Sequence, residues 1–256
     1  MIAALDALSP TEMALVAAIF VLGGLVKGAM GFGLPLATMA MLPIFVAVET
    51  ALAVNIVVLL LTNVAQFVQM GDMRATAARF SPVLWGSVAG IPLGAALAAQ
   101  ISDAWLLGAL GTAVLVFSAL SLGNVALTVP PHRATPIGWG AGILGGAVAV
   151  LTTVPGPIYV MYLLGLGVDR RSFLSALSLF FIVTAVLTSG TYMLLGFFTP
   201  ERLVLAAVAA FPAALLGMWL GNMLTARLSV AGFRSLVLLV LAVLGANLLW
   251  RAVLGG

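Results

Sequence analysis

The sequence has one lysine, Lys27, and it stands inside the first long apolar run, within Lys27-Gly28-Ala29-Met30-Gly31-Phe32-Gly33. An ammonium group in hydrocarbon is costly, and by default it marks a functional site; beside Gly28 and Gly31-Phe32-Gly33 it could supply the counter-charge for an anionic substrate. The competing reading is a lysine near a helix end whose stem lets the charge reach the interface. Downstream, Gly23-Gly24 has a second-half match in Gly145-Gly146, and Pro35 has one in Pro157. The second stretch runs on through Thr152, Thr153, Pro155, Gly156 and Tyr159.

Glycine and proline at this density predict two interrupted helices at membrane depth. Such breaks are tolerated only where protein or a wet cavity surrounds them. Pro35 and Pro157 each suit the first turn of the helix that follows the break. Each half would then aim free backbone N–H groups and a positive dipole end at one central point, an arrangement fit for an anion. The alternative is that the glycines only permit close helix packing. That alternative describes Gly90, Gly94, Gly217 and Gly221 best.

Polar side chains in the third segment of each half are the next candidates. These are Asn55, Thr62, Asn63 and Gln66 in the first half, and Ser175, Ser178, Thr184, Thr188 and Ser189 in the second. Each could bond substrate oxygens or a neighbouring helix. Tyr159 and Tyr162 are candidates for lining a cavity. The five tryptophans read as interfacial anchors, and His132 has no assigned role. Substrate contact is expected from Lys27, Gly28, Gly31, Phe32, Gly33, Asn55, Thr152, Thr153, Gly156, Tyr159 and Ser178. Gly23, Gly24, Pro35, Gly145, Gly146, Pro155 and Pro157 are expected to shape the breaks.

The elements that must carry these residues are membrane helices. Of 256 residues, 64% are hydrophobic and 7% charged, where a soluble domain carries about 25% charged. At about 20 residues per span the chain suffices for eight to ten. Ten apolar runs are legible: Thr11–Met30, Leu34–Val48, Ala51–Met70, Phe80–Ala99 and Trp105–Val125, then Ile137–Val154, Pro157–Val168, Ser172–Gly196, Arg202–Leu220 and Phe233–Trp250. The N-terminus lacks a basic region ahead of its first run, so that run reads as a retained span. The second run of each half is short for a span and reads as broken or hairpin-like.

The whole chain, 1–256, reads as a single all-α polytopic membrane domain. Residues 11–125 form one repeat, 126–136 a cytoplasmic linker and 137–251 a second repeat. At an offset of 122, Gly23-Gly24 falls on Gly145-Gly146, Val26 on Val148, Pro35 on Pro157 and Met39 on Met161. At 127, Gly90 and Gly94 fall on Gly217 and Gly221. With Lys and Arg counted to the cytoplasmic side, Arg74, Arg79, Arg133, Arg170, Arg171, Arg227 and Arg234 lie inside. Arg202 and Arg251 lie outside, as do both termini. Five segments per half is odd, so the repeats are expected to be inverted in the bilayer.

Enzyme chemistry has little to work with. The chain has no cysteine, no metal-ligand cluster, no GxSxG and no P-loop, and no cofactor site is read. The basic residues are dispersed, which excludes a nucleic-acid patch. The expected partners are a small anion and the lipid bilayer; coupling to protons or another ion, and an oligomer, are left open.

Taken with Pro35, Pro43, Pro155-Gly156-Pro157 and Ala51-Leu52-Ala53-Val54-Asn55, the stretch from Gly23 to Gly33 resembles the sulfite exporter TauE/SafE family of membrane permeases. The likeness spans nearly the whole chain. It implies a secondary transporter moving sulfite, sulfoacetate or another sulfonate across the cytoplasmic membrane by alternating access. A non-transporting membrane scaffold is the alternative. Val150-Leu151-Thr152-Thr153 departs from the family's glycine-rich pattern, and the lack of cysteine speaks against thiosulfate-importing relatives.

Overall fold

Capping chemistry sets where the helices begin. Ser9 accepts from the Glu12 N–H at the head of α1 (Pro10–Met30), and Asp72 accepts from Ala75 N–H at the head of the short α4 (Met73–Arg79). Asp169 starts α9 (Arg170–Leu194) by accepting from the Arg171 and Ser172 N–H groups. Hydrogen bonds from the Ser172 side chain and backbone hold that carboxylate below its ordinary range. The cap is therefore complete at neutral pH and fades as pH falls through the lowered value.

The computed structural model describes residues 9–70, 72–98, 100, 102–123, 128–225 and 230–254. Between α1 and α4 lie α2 (Leu34–Met41), closed by a 3-10 turn at Leu42–Ile44, and α3 (Val48–Met70). The first half ends with α5 (Ser81–Ala98) and α6 (Asp103–Leu122). The second half comprises α7 (Ala134–Thr152), α8 (Gly156–Gly165), α9, α10 (Pro200–Val204), α11 (Phe211–Thr225) and α12 (Val230–Leu254). A π-helical stretch, Leu205–Ala210, joins α10 to α11 into one span. Among the described residues, six spans are long and apolar enough to cross a bilayer and four shorter apolar helices accompany them. These ten are the ten runs read from the sequence. Arg227 lies outside the described residues, as does the side chain of Arg234.

The surface is apolar, and a mostly apolar core encloses a set of buried polar side chains. Leu194 is 90% exposed and Val253 78%, while Lys27, Asn55, Thr62 and Asn63 are buried. Only hydrocarbon suits such a surface. The tryptophans Trp85, Trp105, Trp139, Trp219 and Trp250 all lie on it.

The most extensive contacts pair α5 with α7, α1 with α11, α6 with α12 and α3 with α9. Every pair joins an element of one half to an element of the other. Glycine makes the first two seams. Gly24 and Gly28 face the backbone of Ala214 and Met218, while Gly217 and Gly221 face that of Val21 and Leu25. In the α5–α7 seam, Gly86, Gly90 and Gly94 lie against Trp139, Ile143 and Ala147, and Gly142 and Gly146 against Val83 and Ser87.

The expectation that Gly23-Gly24 and Gly145-Gly146 unwind the chain is corrected here: both pairs lie inside continuous helix. Their missing side chains make room rather than flexibility. Gly23 and Gly145 admit the returning arm of their own hairpin, the Thr38 side chain and the Tyr159 ring. Gly24 and Gly146 admit the partner half. Gly28, expected at the substrate site, likewise faces α11.

Contacts between loops sort the chain ends into two groups. Arg202 donates to Thr50 Oγ1 at 3.0 Å and to the Phe197 carbonyl at 2.9 Å, and Arg251 donates to the Pro43 carbonyl at 3.2 Å. At the other end, Thr76 and Ser175 share a hydrogen bond, Tyr162 donates to the Ala134 carbonyl, and Val129 N–H bonds Gly165. Arg74, Arg79, Arg133, Arg170 and Arg171 belong to this second group, apart from Arg202 and Arg251.

A side chain at Gly90 would enter the Ile143 backbone, whereas Gly140 has open space around it. Gly90→Leu is expected to lower stability by at least about 1–3 kcal/mol through overpacking. Gly140→Ala is expected to change it by less than about 0.5 kcal/mol. Thermal unfolding of the detergent-purified variants measures both.

Candidate functional site

Two helix ends define the site. α1 stops at Gly31, whose left-handed φ of 84° lets its N–H close back on the Lys27 carbonyl at 2.6 Å. Gly33, at φ 97°, then starts α2 with Pro35 in its first turn. In the second half α7 stops at Thr153, φ 56°, whose N–H closes on the Ala149 carbonyl at 2.9 Å. Pro155 precedes α8, with Pro157 in its first turn.

The offset of 122 that aligns the prolines also aligns Gly31 with Thr153 and Lys27 with Ala149. Thr153 is the one non-glycine with positive φ among the described residues. The left-handed region costs an L-residue about 1–2 kcal/mol. Its hydroxyl offsets that cost by donating to the Thr152 carbonyl at 2.7 Å and accepting from Asn55 Nδ2 at 2.6 Å. Thr152 in turn accepts from the Val154 N–H. The departure from glycine seen in the sequence therefore has a local replacement.

Helix α3 runs past both breaks and ties them together. Asn55 takes Thr153 with its amide and accepts from Thr38 Oγ1 of α2 at 2.6 Å. Asn63 accepts from Lys27 Nζ at 2.7 Å and donates to the Leu59 carbonyl. Gln66 Nε2 bonds the Gly31 carbonyl at 3.0 Å. Asn55 and Gln66 are eleven residues apart, about 16 Å along the helix. The breaks are thus held at different levels of α3, not at the single central point expected from the sequence.

Lys27 is 2% exposed and does not reach an interface. Its bond is to an amide oxygen, and it is the only charged residue among the buried ones described. Among the described residues no carboxylate is buried beside Lys27, and an ammonium buried without a counter-charge is costly.

The other expected contacts are distributed unevenly. Phe32 stacks edgewise on Phe117 of α6 and Phe173 of α9, at 6.2 and 6.0 Å between centroids. Leu174 of α9 fills the space beside Gly31. Ser178 is buried, and its hydroxyl has no hydrogen-bond partner. Gly156 lies against the Phe181 ring. Tyr159 is fully buried between Phe180 and Phe181, and its hydroxyl shares a 2.8 Å hydrogen bond with Ser87. It holds α8 to the α5–α7 seam and lines no opening.

Two larger hollows, of about 960 and 490 Å³, lie beside α6 and α8. Trp105, Val154, Pro157 and Leu249 help line the first, and Leu144, Ile158 and Tyr162 the second. Both are apolar, neither touches Lys27, and their linings suit hydrocarbon rather than an anion.

Sequence reasoning passed over Thr38 and Ser87. Each is a hydroxyl within an apolar stretch of helix, with no spacing that sets it apart; only the hairpin fold brings Thr38 to Asn55.

A multi-pass helical membrane protein with two interrupted helices, one of which carries a buried lysine, is the class that fold and site define. The family model for the sulfite exporter TauE/SafE matches residues 15–248, and the chain belongs to that family. The family's members are membrane permeases of sulfur-containing anions, transporters and not enzymes. No curated protein and no solved structure matches the chain.

Asn55→Ala leaves the Thr38 and Thr153 hydroxyls without their shared partner. A stability loss of about 1–3 kcal/mol is expected, measured by thermal unfolding. Thr62→Ala, whose hydroxyl bonds only its own helix, is expected to cost markedly less.

Proposed function

We propose that this protein is a secondary transporter that carries a small sulfur-containing or organic anion, such as sulfite, sulfoacetate or another sulfonate, by alternating access, with Lys27 as the charge that meets it. The observation that carries the reading is the buried Lys27, held by Asn63 beside a broken helix and without an acidic partner among the described residues. Asn55, Gly31, Phe32, Gly33 and the second break at Thr152-Thr153 complete the path around it.

The halves act as inverted repeats. Three observations support this: the left-handed ends at Gly31 and Thr153, the matching glycine seams, and the exchange by which α1 meets α11 while α5 meets α7. A two-fold axis in the membrane plane produces such an exchange and leaves α3 facing α9 and α6 facing α12. Inverted repeats give a transporter two related conformations, one open to each side. The end rich in arginine faces the cytoplasm, which puts both termini on the other side.

In proteoliposomes, Lys27→Ala and Gly31→Leu are expected to abolish flux of sulfite or a sulfonate while both variants elute as folded protein. The first removes the charge; the second forces a side chain into the left-handed position against Leu174. Wild-type flux in both folded variants overturns the assignment.

A further inference from the structure

The polar atoms around Lys27 ask for more than a negative charge. Gln66 is 8% exposed, and its amide is fixed: Nε2 donates to the Gly31 carbonyl, which leaves Oε1 as the acceptor. That Oε1 has no hydrogen-bond partner, and neither has Ser178 Oγ.

The three side chains come from adjacent turns of the bundle. Gly31 is one turn below Lys27 on α1, and Gln66 is one turn below Asn63 on α3, so the Lys27–Asn63 and Gly31–Gln66 bonds are consecutive rungs between two helices. On α9, Leu174 fills the space at Gly31, and Ser178 is the residue one turn further along the same face. Residues four apart share a helix face, so Ser178 lies one turn from Leu174 on the same side of α9. The resulting cradle spans adjacent turns and draws one cation from α1, one unbonded hydroxyl from α9 and one orphaned acceptor from α3.

We infer that this cradle selects a singly charged oxyanion that itself carries a hydrogen-bond donor, a hydrogen-oxyanion, over its fully deprotonated dianion. The inference rests on the transport reading above and narrows its substrate class. Lys27 balances one negative charge, and the structure provides no second buried cation among its described residues. Ser178 Oγ and the remaining Lys27 N–H groups donate to the anion's oxygens. Gln66 Oε1 takes the ligand's own proton. A bare oxygen placed there would set two acceptors face to face, and a buried acceptor left unpaired costs enough to lower affinity about tenfold.

The other described charged groups on α1, α3 and the elements packed against them sit at element ends. Glu12 and Glu49 stand in the first turns of α1 and α3, Arg251 in the last turn of α12, and Glu201 and Arg202 in α10, all half-buried; Arg170 and Arg171 open α9 and are exposed. The second charge of a dianion finds no balance from them inside the cradle.

The test compares two probes by calorimetry on purified protein in nanodiscs. Sulfite exchanges its hydrogen-oxyanion for a dianion as pH rises; methanesulfonate is a monoanion without a donor at every pH used. The expected result is at least tenfold tighter binding of sulfite than of methanesulfonate at acid pH, with the ratio falling as sulfite loses its proton. Taking the ratio cancels any titration of Lys27, which both probes feel alike. Gln66→Met is expected to bring the ratio near one. A pH-independent ratio in the wild type overturns the inference without needing any variant to fold, and a ratio unmoved in folded Gln66→Met does so too. Loss of both probes in Lys27→Gln leaves the transport site standing whatever the ratio does, whereas no binding of either probe to the wild type overturns site and inference together.

Discussion

A chain that stops being helical inside hydrocarbon has no water to which its freed backbone groups can turn. Everything distinctive about this protein follows from how that demand is met twice. The N–H at each break closes back on its own helix, from Gly31 to Lys27 and from Thr153 to Ala149. What remains goes to α3, whose polar stripe serves the Gly31 carbonyl, the Thr153 hydroxyl and the Lys27 ammonium. Asn63 and Gln66, which stand beside the first break, hold the Lys27 ammonium and the Gly31 carbonyl, while Asn55 serves the second break and the Thr38 hydroxyl.

The second half does not repeat this chemistry. Its third helix, α9, offers Ser178 and Thr188 with unbonded hydroxyls and Thr184 bonded only to its own backbone. Around the second break, aromatic packing takes over, with Tyr159 set between Phe180 and Phe181 over Gly145. The two halves thus carry one polar hairpin and one aromatic hairpin. Ala149, where the alignment would put a second lysine, fits that division of labour.

Much of this frame was legible from residue types. The ten apolar runs became the ten long or short apolar helices because span length in lipid leaves few alternatives. Pro35 and Pro157 marked the starts of α2 and α8 because proline suits a first helical turn. The glycines were harder. Gly23-Gly24 and Gly31-Phe32-Gly33 look alike in one dimension, yet the former packs and the latter breaks, and the difference lies in which backbone passes nearby. Lys27 stood out because a lone lysine in an apolar run is anomalous. Its partner did not, since Asn63 is one of several polar residues on α3 and only the fold selects it. Thr38 and Ser87 carried no signal at all.

The seam between α1 and α11 also has a consequence for how the chain is made. Gly24 and Gly217, which face each other's helices, are separated by about 190 residues, or roughly 10–40 s of synthesis at about 5–20 residues per second. During that interval the first helix sits in the bilayer with its small-residue face uncovered and its lysine already buried in the lipid phase. The insertion machinery, or a neighbouring helix acting as a temporary stand-in, has to shield that face until α11 has been made.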